Sequence, residues 1–314
     1  MIRFILVLAF VAALSLVQAQ QYTTKYLELS SQQQRITMAY VYEQTAANTG
    51  KTIVLLHGKN FSATYFNKMI AAFLNKGYNV LAPDQVGFGL SSKPFQYQFS
   101  FHQLALNTKL LLDTLGISKP ILFGHSMGGM LAIRMVLQYP DDFSQLVLED
   151  PLGLEDWKPV IPYSSIDEEF KKEKSKTTAS LKKYMLDNYF HNEWKPAYDT
   201  LLAESSKNLQ DEKAAWCMAL TSDMIYSQPV YYEFKNIRVP VILIIGELDK
   251  TAPGKERAAK AIAATLGNYP RLAKEAAAII PRCKLVELKG IGHIPHIENF
   301  AAFMHALEPV LIKN

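Results

Sequence analysis

Gly124-His125-Ser126-Met127-Gly128-Gly129 stands between a short apolar run, Ile121-Leu122-Phe123, and a helical pattern from Met130 to Gln138. A serine with glycines two residues away on each side, between strand and helix, marks a sharp reversal of the chain. The reason is steric. Side chains at 124 and 128 would collide with the neighbouring strand and helix, so only hydrogen fits there. Ser126 is held in a strained backbone with its hydroxyl exposed. The Met127 amide and the N-terminus of the following helix point where negative charge would develop on a substrate.

A serine hydroxyl is a poor nucleophile at neutral pH and needs a base that a third group orients. In chain order an acid and then a histidine should follow, each at the end of its own strand. Val241 to Ile245 is an apolar strand ending in Gly246-Glu247-Leu248-Asp249, and Lys284 to Leu288 is a strand followed by Gly290-Ile291-Gly292-His293. These runs nominate His293 as the base and Asp249 as the acid that holds its ring. The rivals are His296 and His125 for the base, and Asp150 and Glu247 for the acid. His296 falls in a helical start, His125 points away from Ser126 along the chain, and Glu247 is two residues early. Asp150 follows the preceding strand and is the second choice.

The accumulating charge needs two backbone N–H groups. Met127 supplies one. The other is expected from the loop His57-Gly58-Lys59-Asn60 after the apolar strand Thr52 to Leu56. Gly58 permits close approach, Lys59 is the expected main-chain donor, and Asn60 is second. The Lys59 side chain is expected in solvent, with a reach into the pocket as the other reading.

The rest of the chain supplies the frame. Lys25 to Leu29 and Arg35 to Tyr42 read as antiparallel edge strands. Ala63 to Lys76 reads as an amphipathic helix stopped at Gly77, where a left-handed cap is expected. Val80 to Ala82 and Gln145 to Leu148 are further strands, and Ser100 caps a helix with apolar residues at helical spacing. Strands alternating with helices imply a mostly parallel sheet covered on both faces. The rhythm breaks over 154–235, which is rich in lysine, glutamate, tyrosine and serine and carries no apolar strand. That insertion is expected to form a helical cap over the carboxyl edge of the sheet; a peripheral helical decoration is the alternative. The expected division is a leader at 1–19, core at 20–153, cap at 154–235 and core again at 236–314.

The 314 residues, 49% of them hydrophobic, suffice for a large core with a smaller subdomain. A net charge of +4, from 33 basic and 29 acidic residues, argues against a nucleic-acid surface. Arg3 precedes an apolar stretch from Phe4 to Val17, with small residues at Val17 and Ala19. This pattern predicts a cleavable signal peptide cut after Ala19, hence a secreted or periplasmic protein. The run is shorter than the ~20 residues that span a bilayer, so no stable membrane span is expected. The two cysteines, Cys217 and Cys283, allow one disulfide or two buried thiols.

Taken together, His57-Gly58, Asp84-Gln85-Val86-Gly87-Phe88-Gly89-Leu90-Ser91, Gly124 to Gly129, Gly246 to Asp249 and Gly292-His293-Ile294-Pro295-His296 resemble the α/β-hydrolase superfamily in order and spacing. The likeness covers nearly the whole mature length. It implies an α/β class and the α/β-hydrolase fold, with a helical cap inserted after the sixth strand, and it makes Asp84 and the glycines after it structural. Ser126 separates the chain from the haloalkane dehalogenases and epoxide hydrolases of that fold, which carry aspartate there. The His-Gly-Gly-Gly loop of hormone-sensitive-lipase-like esterases is also lacking.

The expected activity is serine hydrolysis of a small-molecule carboxylic ester by Ser126, His293 and Asp249, with the oxyanion on Lys59 and Met127 and with no cofactor and no metal. A proline iminopeptidase-like amidase, a lactonase, a thioesterase and a carbon–carbon bond hydrolase use the same residues. A ligand-binding receptor on this fold is the non-enzymatic alternative.

Overall fold

The computed structural model describes residues 22–46 and 50–311. The leader expected over 1–19 lies outside the described residues. Strands β1 (Thr24–Ser31) and β2 (Gln34–Glu43), joined by only Gln32 and Gln33, pair antiparallel as a hairpin and form one edge of an eight-stranded sheet. Then follow β3 (Thr52–Leu56), α1 (Asn67–Asn75), β4 (Asn79–Pro83), α2 (Phe101–Thr114), β5 (Ile121–His125), α3 (Met127–Gln138) and β6 (Gln145–Glu149). The predicted helix over 63–76 opens as a 3-10 turn, Ala63–Phe66, before α1 begins, and Gly77 takes the left-handed φ of 83°. Ser100 caps α2 as expected, its hydroxyl accepting from Gln103 N at 3.0 Å.

The chain between β6 and β7 (Val241–Gly246) is helical, comprising α4 (Ile166–Lys174), α5 (Thr178–Asn188), α6 (Asp199–Ser206) and α7 (Glu212–Ser227). Ser165 and Thr177 start α4 and α5 with capping boxes, in which side chain and backbone exchange hydrogen bonds. After β7 come α8 (Lys260–Ala263), α9 (Tyr269–Ile279), β8 (Cys283–Leu288), α10 (Pro295–Glu298) and α11 (Phe300–Leu307). Among the described residues no helix is long and apolar enough to cross a membrane. Cys217, in α7, and Cys283, in β8, are both free thiols.

The strand order is β1-β2-β4-β3-β5-β6-β7-β8, and every pair from β4 onward is parallel. The central strands are apolar at successive positions because both faces are covered. Val54, Leu122, Leu148 and Leu243 pack with Leu131 of α3 and Leu272 of α9 on one side. Ile53, Phe123, Val147 and Ile244 pack with Phe73 of α1 and Phe303 of α11 on the other.

The register decides where chemistry can occur. Leu56 pairs with Gly124, His125 with Glu149, and Gly246 with Leu288, so these parallel strands end along one edge. The loops carrying Lys59, Ser126, Asp249 and His293 therefore leave the sheet side by side, beneath α4 and α5.

Candidate active site

Ser126 has φ 55° and ψ −121°, a conformation non-glycine residues rarely adopt. Its amide donates to Glu149 O at 3.1 Å, and its carbonyl accepts from Gly129 N at 2.9 Å and Leu152 N at 3.1 Å, so the strain is held from three directions. Close packing requires the glycines that the sequence places here. A β-carbon on Gly128 would overlap the Leu56 carbonyl, where α3 crosses β3.

The hydroxyl this turn presents lies 3.0 Å from Nε2 of His293, whose Nδ1 lies 2.7 Å from Oδ2 of Asp249. The other Asp249 oxygen, Oδ1, accepts from Thr251 N at 2.8 Å. Both side chains of the His293–Asp249 pair are fully buried. The structure thus joins Ser126, Asp249 and His293 in one hydrogen-bonded line from three loops. That line can pass a proton from the hydroxyl to the imidazole while the carboxylate fixes the tautomer.

The rival residues have other partners. His125 Nδ1 pairs with the Tyr65 hydroxyl at 3.0 Å and Nε2 with the His293 carbonyl at 2.9 Å. Burial, and then the neighbouring histidines, push its pKa well down, so it stays neutral and structural. His296 bonds Glu149 through Nδ1 at 2.6 Å. Asp150 accepts from Gly246 N at 2.9 Å, and its side chain meets that of Asp249 rather than His293. Glu247 accepts from Gly290 N at 3.1 Å, bracing the loop before His293. Asp84 is structural, its two oxygens accepting from Ala63 N at 2.7 Å and Leu90 N at 2.8 Å.

Of the two expected oxyanion donors, Met127 begins α3, so its N–H lies outside the helical hydrogen-bond ladder. Gly58 faces the nucleophile; a β-carbon there would stand 3.1 Å from the Ser126 β-carbon. Lys59 and Asn60 line the same cavity as Ser126, a chamber of about 700 Å³ between sheet edge and cap.

The Lys59 side chain is neither in solvent nor free in the pocket. Its Nζ meets Glu173 of α4 at 2.7 Å, and Lys176 bonds the other oxygen of that carboxylate at 2.5 Å. Burial raises the Glu173 pKa, but the two ammoniums outweigh it and bring the carboxyl to about 2.

Two further residues of the site, Glu173 and Tyr189, which stacks on His293, carry no signal in the sequence. Glu173 lies within α4 and Tyr189 directly after α5, and the spacing of those helices shows only that one face is buried. Among the described residues no three His, Cys, Asp or Glu side chains gather as a metal-binding group.

Comparison with known proteins agrees with this architecture. A solved structure of a probable hydrolytic enzyme from Pseudomonas aeruginosa PAO1 superposes with a TM-score of 0.91 at 42% identity, covering 93% of this chain and 95% of that one. Lipase 1 of Psychrobacter immobilis is 23% identical over 288 residues, 85% of this chain and 81% of the lipase. An uncharacterized hydrolase of Saccharomyces cerevisiae is 32% identical over 128 residues, 39% of this chain, a match that spans only 44% of the yeast protein. A family model described as the alpha/beta hydrolase fold matches residues 51–300. With sheet order, the strained turn at Ser126 and the family model in agreement, the chain belongs to the α/β-hydrolase family.

Proposed function

We propose that this chain is a serine hydrolase acting on carboxylic esters. The observation that carries the reading is the continuous line from Ser126 Oγ through His293 to Asp249, with separations of 3.0 and 2.7 Å. His293 Nε2 takes the Ser126 proton as Oγ attacks the ester carbonyl. The Lys59 and Met127 amides bind the oxyanion that forms. His293 then returns the proton to the departing alkoxide, which leaves as the alcohol and an acyl-enzyme on Ser126. In the second half, His293 deprotonates a water that attacks the acyl carbon. Ser126 recovers its proton and the carboxylic acid departs.

Charge in the chamber supports an ester over a substrate with a free amino terminus. Four of the carboxylates that line it already have a cation: Glu173 has Lys59 and Lys176, Glu169 has Arg257, Glu256 has Lys172, and Asp187 has Lys183. Asp223 accepts only from the neutral Tyr163 hydroxyl, so among the described residues the chamber holds no cluster of unpaired carboxylates for an ammonium. The cationic, then apolar stretch over 1–19 supports export, with Gln20 as the first residue of the secreted or periplasmic form.

The test is hydrolysis of aryl esters of graded acyl length beside an aminoacyl aryl amide. Ester turnover that Ser126→Ala abolishes in a folded protein is the expected result. Turnover of the amide alone, or activity retained by Ser126→Ala, would sink the proposal.

A further inference from the structure

The base of this site is gripped by the cap as well as by the core. Tyr189, the residue that closes α5, accepts a hydrogen bond from the His293 N–H at its carbonyl, at 3.0 Å. Its ring lies over the His293 imidazole with centroids 4.7 Å apart and planes 26° from parallel. That carbonyl comes so near the backbone that a β-carbon on Gly292 would overlap it. The Tyr189 side chain, in turn, lies against those of Tyr184, ring centroids 5.3 Å apart, and Asn60. Asn60 follows Lys59 and takes a left-handed φ of 76°. One side chain thus spans from the base loop to the loop expected to bind the oxyanion, and Tyr189 is only 4% exposed.

We propose that Tyr189 is a positioning residue for His293, holding the imidazole plane with its ring and the His293 main chain with its carbonyl. The proposal rests on the reading of His293 as the base for Ser126. Two physical effects support it. A stacked, fully packed imidazole has one orientation, and misplacement of a reacting group by about 1 Å can cost two orders of magnitude in rate. The imidazolium that forms as Ser126 attacks also lies against an electron-rich ring face, which favours the charged form. The cap therefore completes the catalytic frame rather than merely covering it.

Phosphonylation of Ser126 by a fluorophosphonate reads this directly. The Oγ–P bond forms, the P–F bond breaks, fluoride leaves and the serine proton passes to His293. Rates are to be measured for the wild type, Tyr189→Phe and Tyr189→Leu, alongside kcat and KM for a short-chain aryl ester. The downfield proton resonance of His293 Nδ1–H should be recorded for each.

The phenylalanine variant keeps ring and carbonyl and should stay within about threefold of the wild type. The leucine variant should label at least tenfold more slowly and lose kcat by a similar factor, with KM within twofold and the resonance broadened. Thermal melts establish that it folds, and Tyr189→Met answers the same question if it does not. Equal labelling of wild type and a folded ringless variant would overturn the positioning role alone. A wild type that does not label would overturn the assignment of Ser126, and this proposal with it.

Discussion

The Asp249 carboxylate lies 2.7 Å from Nδ1 of His293, with both side chains closed to solvent. A carboxylate can only accept there, so Nδ1 carries the proton and the lone pair of Nε2 faces Ser126, 3.0 Å away. An asparagine has the same shape, but its NH₂ can donate to Nδ1 and hold the opposite tautomer. Asp249→Asn is therefore expected to lower kcat by about 10⁴, without loss of the fold. Steady-state kinetics on an aryl ester, with a thermal melt as control, checks this.

Asp150 is the second buried carboxyl at this sheet edge, and a different outcome is expected for it. Burial, and then the charges of Asp249 and Glu149, push its pKa well above the ordinary range. Its other oxygen, Oδ2, meets no N–H or hydroxyl donor. With a folded pKa raised above the unfolded one, the stability it contributes is complete below the unfolded value and is lost as pH rises through the folded one. Asparagine keeps the oxygen that accepts from Gly246, tolerates the φ of 38° and carries no charge. Asp150→Asn should leave kcat within about threefold and melt progressively higher than the wild type as the pH is raised from 5 to 9. A collapse of kcat matching that of Asp249→Asn would contradict the division of roles.

Glu173 joins cap to core. Replacing it with glutamine leaves the ammoniums of Lys59 and Lys176 together without a counter-charge, in a setting where the two lysines are 17% and 23% exposed. Removing one partner of a buried ion pair typically costs about 3 kcal/mol or more. The folded carboxyl titrates at about 2, below its ordinary 4.5, so the stability it contributes is full above 4.5 and is lost as pH falls toward 2. Urea midpoints for Glu173→Gln should thus fall well below wild type at pH 7, and the gap should narrow below about pH 4.5.

Much of the site was legible because its signals are local. The glycines around Ser126, the apolar run of Val241 to Ile245 before Asp249, and the strand before His293 each follow from steric or packing demands within a few residues. Over Ala63 to Lys76 the structure departs from the single helix that the pattern predicts. Its amphipathic pattern fits a 3-10 turn followed by a helix as readily as one continuous helix. The direction of the Lys59 side chain differs from expectation for another reason. A lone lysine in a loop looks solvated until its partner, 114 positions away, is known.

By itself the sequence determined the alternation of strands and helices, the strained serine, and the order of serine, acid and histidine, because each depends on neighbours along the chain. Tertiary structure alone decided that the strand ends form one edge, that Asp249 rather than Asp150 meets His293, and that Tyr189 and Glu173 of the cap reach the catalytic loops. Those contacts join polar or aromatic residues far apart in the chain. Helical spacing can show that one face of such a segment is buried, but only the packing of cap on sheet determines what it is buried against.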